Sequence, residues 1–288
     1  MAKKLNAQQE ALKYKEHKKQ IMGLIKSGEL DMLKDSPEYF DIMKHYWLVD
    51  KYIARFGLSS EAKPENTLGA YQNAVKKGYA ILIPVQALND GEVICYKDKT
   101  IATSTNASGY IPNLTLADVK ENKIVGSNEF IPTLGEALNT IAGKVPVIIE
   151  VLNEGLVGET EQKVLTIVED YLTKYNLDDS IAIMSLNPYS LQWFREQAPW
   201  LPRIIRSGKF KVKTYAGINA KKLQKLTFSN KLADCDYVCY NAKDLPYRRI
   251  KKIKPIGVIA YNVKSQEEYI NVAKYCDNII FESFEPTI

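Results

Sequence analysis

Residues 145–151 read Val145-Pro146-Val147-Ile148-Ile149-Glu150-Val151, an apolar run of strand length, and the residues after it, 159–175, carry a helical period. The same unit recurs along the chain. Short apolar runs fall at residues 49–55, 80–85, 145–151, 181–184, 203–206, 237–240, 257–261 and 278–281. Helix-period stretches fall at 67–77, 133–141, 159–175, 188–197, 220–232, 246–252 and 265–276. Strands that alternate with helices predict parallel pairing, because each crossover places a helix outside the sheet. Eight such strands predict an α/β fold, a (β/α)8 TIM barrel over residues 49–288.

Residues 1–48 read as a helical extension before the barrel. The segment 7–26 is rich in Ala, Gln, Glu, Lys and Leu, and Ser27-Gly28 supplies an end signal. Ser36-Pro37-Glu38 then supplies an N-cap and a first-turn proline for a second helix to about Trp47. This extension is expected to dock on the barrel, to join copies or a partner protein, or to touch a membrane surface.

A chain of 288 residues with 45% apolar content can bury one large core. Its apolar runs fall far short of the roughly 20 residues a bilayer span needs. Met1-Ala2-Lys3-Lys4-Leu5-Asn6 lacks the apolar core of a secretory signal, and four cysteines do not make a disulfide framework. The expectation is a cytoplasmic protein, with a membrane-peripheral location as the alternative. Cys235 and Cys239 flank a strand-like run, which at roughly 3.3 Å per residue separates them by about 13 Å. That spacing disfavours a shared metal or a mutual disulfide, and both read as small buried hydrophobes. Residues 200–260 hold fifteen Lys/Arg against three Asp, so one region of the surface is cationic. The tract 247–254 has no nucleic-acid fold around it, and nucleic acid is disfavoured as a partner.

The order of motifs resembles the glycerophosphodiester phosphodiesterase family. The likeness is carried by Ile53-Ala54-Arg55-Phe56-Gly57, Pro64-Glu65-Asn66-Thr67-Leu68, Asn89-Asp90-Gly91 and Tyr96-Lys97-Asp98. It continues through Ile131-Pro132-Thr133-Leu134, Val147-Ile148-Ile149-Glu150, Ser185-Leu186-Asn187-Pro188 and Asp277-Asn278-Ile279-Ile280. The family typically reads I-A-H-R-G, P-E-N-T-L, I-E-x-D-V, D-G and H-D at the first places. Here Arg55 stands at the first histidine, Phe56 at its neighbouring arginine and Lys97 at the second histidine. Leu82 and Pro84 stand where the resemblance implies metal-binding carboxylates, while Glu150 and Asp98 are retained. The chain's two histidines, His17 and His45, both precede residue 46.

What the resemblance implies for chemistry is therefore altered. A phosphodiesterase of this type uses a divalent cation and two histidines, since the transition state gathers negative charge and proton transfer needs groups of near-neutral pKa. Arg55 is permanently protonated and cannot act as a base. Glu150 alone is a poor site for a hard cation. No metal or other cofactor is expected, with Mg²⁺ or Ca²⁺ entering only in an active alternative. The sequence predicts a pseudoenzyme in which Arg55, Lys97, Glu150 and Asp98 bind a glycerophosphate-type ligand, with Glu150 orienting Arg55 or meeting a ligand hydroxyl. That ligand would be a small molecule, a lipid headgroup or a polymer. The alternatives are a divergent phosphoric diester hydrolase, and a scaffold with a vestigial pocket in which Arg55 and Glu150 simply pair. Pro64-Glu65-Asn66-Thr67 is expected to cap the helix that follows, through Asn66 or Thr67.

Overall fold

The computed structural model describes residues 23, 24, 27 and 29, and then 47–209, 214–215, 217–229, 231–253 and 257–287. The extension helices expected within residues 1–46 lie outside the described residues, apart from helical backbone at Gly23, Leu24 and Ser27. None of the described helices is long and apolar enough to cross a membrane.

From the short helix α1 (Trp47–Asp50) the chain enters β1 (Ile53–Arg55), α2 (Leu68–Lys77), β2 (Ala80–Ala87) and β3 (Val93–Cys95). Then follow α3 (Leu116–Lys120), α4 (Leu134–Ile141), β4 (Val147–Val151), α5 (Glu159–Tyr175), β5 (Ile181–Ser185), α6 (Pro188–Gln197) and β6 (Arg203–Ser207). The last part holds β7 (Thr214–Tyr215), β8 (Ile218–Asn219), α7 (Ala220–Ser229), β9 (Tyr237–Asn241), β10 (Gly257–Val263), α8 (Gln266–Ala273) and β11 (Asn278–Phe281). The strand order β1-β11-β10-β9-β6-β5-β4-β2, with β1 also paired to β2, closes eight strands into a barrel. Every pairing around that ring is parallel. The fold is a (β/α)8 barrel, and each of the eight apolar runs contributes one strand.

Period-two alternation divides each strand between two cores. On β2, Ile81, Ile83 and Val85 face the helices, whereas Leu82 joins Ile53, Ile148, Ile204, Ile259 and Ile280 inside the barrel. The floor is closed by Trp47 and Leu48 of α1, buried against that inner cluster. Asn278 fastens it by donating Nδ2 hydrogen bonds to the carbonyls of Leu48 (2.9 Å) and Lys51 (2.7 Å). This floor corrects the expected strand at 49–55. Its first residues are helical because Trp47 and Leu48 must turn inward to seal the barrel, and extended pairing starts only at Ile53.

Local chemistry sets the helix ends. Thr67, and not Asn66, caps α2 by accepting from the Ala70 amide at 3.2 Å, and Gly78 ends it in the left-handed region. Thr133 and Glu136 form a capping box on α4. The stretch expected to be a helix at 246–252 is a 3-10 turn, Arg248–Lys252. Ile250 within it and Ile253 at its C-terminal end are both buried and three apart, the spacing that places side chains on one face of a three-residue period.

Gly57 shows how tightly the β1–α2 connection is folded. Its φ is 85°, and a Cβ built there would lie 2.8 Å from the carbonyl carbon of Ala70. Backbone cannot swing aside as a side chain can. Gly57→Ala is therefore expected to destabilise the protein by about 2–4 kcal/mol, combining left-handed strain with overpacking. Urea denaturation checks this, and a loss below about 0.5 kcal/mol would contradict the close approach.

Candidate functional site

The inward parity that fills the barrel also builds its mouth. Two residues beyond Ile53, Ile148, Ile204, Ile259 and Ile280 stand Arg55, Glu150, Arg206, Tyr261 and Glu282, at the C-terminal ends of five strands. This is the face on which barrel enzymes of this architecture place their chemistry. Lys97 and Asp98 arrive from the loop after β3, and Phe56 from the turn after β1. A cavity of about 290 Å³ lies among them, lined by Arg55, Phe56, Lys97, Asp98, Glu150 and Arg206, with Leu82, Leu152, Met184, Tyr261 and Asn262 completing its wall.

The structure brings the four expected residues Arg55, Lys97, Asp98 and Glu150 to one cavity, but it pairs them differently from expectation. Glu150 does not meet Arg55. It accepts from Arg206 at 2.5 Å, while Arg55 pairs with Glu282. The reason is strand order. β1 lies beside β11, so Arg55 emerges next to Glu282, whereas β4 and β6 flank β5 and aim Glu150 and Arg206 into the same layer. Lys264 also reaches Glu282, at 2.6 Å, and Lys97 reaches Glu65 in the β1–α2 loop at 2.5 Å. Phe56, held at φ 61° with its carbonyl accepting from the Asn66 amide, lays its ring under the Arg55 guanidinium at 4.1 Å. The Lys97 amine lies 5.6 Å from the same ring. Arg206 stacks over Tyr261 at 5.0 Å.

The charges settle accordingly. The Glu150 carboxylate beside Arg206 drives that guanidinium well above its ordinary value, so it stays protonated at any working pH. Burial pushes the Cys239 thiol and the Tyr261 hydroxyl up, which leaves neither a ready nucleophile. At Glu282, burial would raise the carboxyl, but Lys264 and Arg55 outweigh it and hold it below its ordinary 4.5. A carboxylate with a depressed folded pKa contributes stability above its unfolded value that is lost as pH falls through the folded one. Acidification below 4.5 should therefore lower the melting temperature, and Glu282→Gln should flatten that part of the curve. An unchanged slope would mean that Glu282 titrates alike in both states.

The donor set does not fit a divalent cation. A hard ion needs several oxygen ligands converging on one point. Among the described residues no three His, Cys, Asp or Glu side chains come together as a metal group. Of the carboxylates around the mouth, Glu65, Glu150 and Glu282 each face a cation, and Asp98 lines the cavity with its buried Oδ2 unpartnered. Leu82 presents hydrocarbon to the cavity, and Pro84, buried one inward position further along β2, offers no donor.

Arg206 was absent from the residues singled out in the sequence. Parity marks it: with Ile204 inside, the next inward position of the same strand is an arginine at its C-terminal end. Cys235 and Cys239 are both buried, and neither is in a disulfide. Asn66 is buried as well, with a left-handed φ of 59°, and Thr67 alone carries the capping role.

Fold and mouth together define a (β/α)8 barrel with a polar, cation-lined opening at the C-terminal ends of its strands. Residues 57–280 match the family model of the glycerophosphoryl diester phosphodiesterase family, and the chain belongs to that family. It is 30% identical over 153 residues to a glycerophosphodiester phosphodiesterase of Caldanaerobacter subterraneus subsp. tengcongensis, across 49% of this chain and 60% of that protein. Against a glycerophosphodiester phosphodiesterase of Bacillus subtilis the identity is 26% over 160 residues, 49% of this chain and 54% of that protein. The match thus spans little more than half the length of these relatives. Among solved structures, an Oleispira antarctica phosphodiesterase in complex with its product sn-glycerol-3-phosphate superposes with a TM-score of 0.65 at 20% identity, over 82% of this chain and 94% of that one. A Thermotoga maritima glycerophosphodiester phosphodiesterase gives 0.60 at 15% identity, over 80% and 93%. At these identities the structural likeness speaks for the fold.

Proposed function

We propose that this protein binds a glycerophosphate-type ester through Arg55, Lys97 and Arg206 directly, without a bridging metal and without hydrolysing it. One observation carries the reading: three cations line the 290 Å³ mouth, where no carboxylate cluster suited to a metal forms among the described residues. An arginine offers a phosphate two parallel hydrogen bonds and a lysine a compact charge. Two of the three are free to turn toward ligand. Glu282 keeps Lys264 when Arg55 leaves it, and Glu65 is 38% exposed, so its pair with Lys97 is weak. Arg206 stays against Glu150 and presents its remaining N–H groups as a fixed wall. Hydrolysis would need a base and an acid titrating near neutrality, and residues 46–288 contain no histidine.

The family's named activity supports a second reading, a divergent phosphodiesterase working through Lys97, Asp98 and Glu150. The two separate in one experiment. Titration calorimetry with sn-glycerol-3-phosphate, run beside a turnover assay on glycerophosphodiesters with and without Mg²⁺ or Ca²⁺, should give binding and no turnover. Metal-dependent turnover lost in Lys97→Ala would establish the hydrolase. Absence of binding would remove the phosphate site, and loss of partner binding on deleting residues 1–48 would then point to a scaffold.

A further inference from the structure

Between β6 and β10 the outer wall of the barrel is cationic. The sequence holds no Asp or Glu between Glu196 and Asp234, nor between Asp244 and Glu267. Two elements of that wall fall in those stretches, α7 (Ala220–Ser229) and the 3-10 turn Arg248–Lys252. They pack on each other, and Phe228 meets Tyr247 with ring centroids 5.4 Å apart. Lys221, Lys222, Lys225, Arg248 and Arg249 are all exposed. None of the five pairs with a carboxylate among the described residues. Exposed lysines elsewhere do pair, Lys77 with Glu285 at 3.1 Å and Lys99 with Glu154 at 2.8 Å. Of the carboxylates bordering the two stretches, Asp244 is taken by Lys209 at 3.5 Å, and Glu196 accepts from Gln192 on its own helix. Asp234 stands exposed before β9, at the floor end of the wall.

The helix α7 also sets its charges against its own backbone. A helix favours acids in its first turn and bases in its last. α5 obeys this with Glu159, Glu161 and Lys174. α7 has Lys221 and Lys222 in its first turn, no acid beside them, and no base in its last turn. A local conflict of this kind is expected where the residues serve a contact.

Placement shows what that contact is. Exposed single cations are screened by water and salt, so a small anion gains little from any one of them. An extended anionic plane, such as a layer of lipid headgroups, engages them together. Lys209 and Lys243, exposed in the loops after β6 and β9, carry the patch on to the rim of the mouth. No large exposed hydrophobic side chain among the described residues lies on either element. The Tyr247 ring is engaged by Tyr240, stacked at 5.4 Å, and by Phe228. The face therefore offers no ring on which nucleic-acid bases could stack. We infer that α7, the 3-10 turn and the β6–β9 rim hold the protein against an anionic lipid bilayer by charge alone, with the barrel mouth at the edge of the contact. The inference does not depend on the phosphate site proposed above.

Cosedimentation of the full chain with vesicles tests it. Vesicles of equal parts phosphatidylglycerol and phosphatidylcholine should take up the protein at least tenfold more strongly than phosphatidylcholine alone, and added salt should release it. Each cation near an anionic leaflet contributes about fivefold, so Lys221→Gln/Lys222→Gln/Lys225→Gln should lower uptake at least tenfold. Lys123→Gln/Lys144→Gln/Lys274→Gln removes the same charge from exposed positions elsewhere and should lower it less than threefold. Arg248→Gln/Arg249→Gln should lower it at least fivefold, and serves if the α7 variant does not fold. Equal losses in the two lysine triples would assign the attraction to net charge and overturn the face. Uptake without preference for the anionic vesicles overturns it as well. So does a preference that survives substitution of both elements, which the basic residues 1–26 would give. Binding to duplex DNA but to neither vesicle would overturn the lipid and make the wall a nucleic-acid surface.

Discussion

Arg206→Met is expected to destabilise the protein by about 3–5 kcal/mol, the cost of leaving one member of a buried ion pair without its partner. Glu150 is the member left behind, with 3% of its side chain exposed and its Oε1 held at 2.5 Å by the guanidinium. Arg55 does not replace that contact, because it pairs with Glu282 on the far side of the mouth. The pair as a whole is worth much less than its breakage, since both charges were desolvated to form it. The double variant Glu150→Gln/Arg206→Met should therefore recover most of the lost stability while binding no phosphate. Denaturant unfolding of the two single variants and the double variant measures the coupling. Independent, additive effects would show that the two side chains do not depend on each other.

The barrel was legible because its signal is repeated and local. Eight apolar runs each marked a strand, and residues 278–281 coincide with β11. The departures came where a tertiary demand overrode a local one. Residues 49–50 look like the start of a strand until the barrel needs a floor, and β3 (Val93–Cys95) is three residues of an antiparallel return that only the length of β2 makes possible. The hairpin β7–β8, two residues on each side, is too short for any periodicity to register. Parity along each strand was legible as well, and it selects Arg55, Glu150 and Arg206 for the mouth. Which cation meets which carboxylate was not. That depends on the order of strands around the ring: Arg55 finds Glu282 because the chain's first and last strands adjoin, across 227 residues of sequence. A motif read linearly cannot carry such a contact.

The same geometry implies the opposite balance for Arg55→Ala/Lys97→Ala. Stability should change by no more than about 1 kcal/mol, because each lost cation leaves a carboxylate with another recourse. Glu282 retains Lys264, and Glu65, 38% exposed, is solvated by water. Binding should suffer far more. Charge-assisted hydrogen bonds to a ligand contribute about 1.5–3 kcal/mol each, less what the cations give up in leaving their own carboxylates. Two of them together predict a loss of affinity for sn-glycerol-3-phosphate on the order of 100-fold. Calorimetry beside thermal denaturation reads both quantities from one preparation. The phosphate contacts are also electrostatic, so raising the salt concentration should weaken binding to the wild type more than to the double variant. Unchanged affinity would mean that the cations serve only to balance their carboxylates. A mouth of closed ion pairs would then be the end state of a site that has lost its ligand, and the Arg206–Glu150 pair would remain as a structural contact alone.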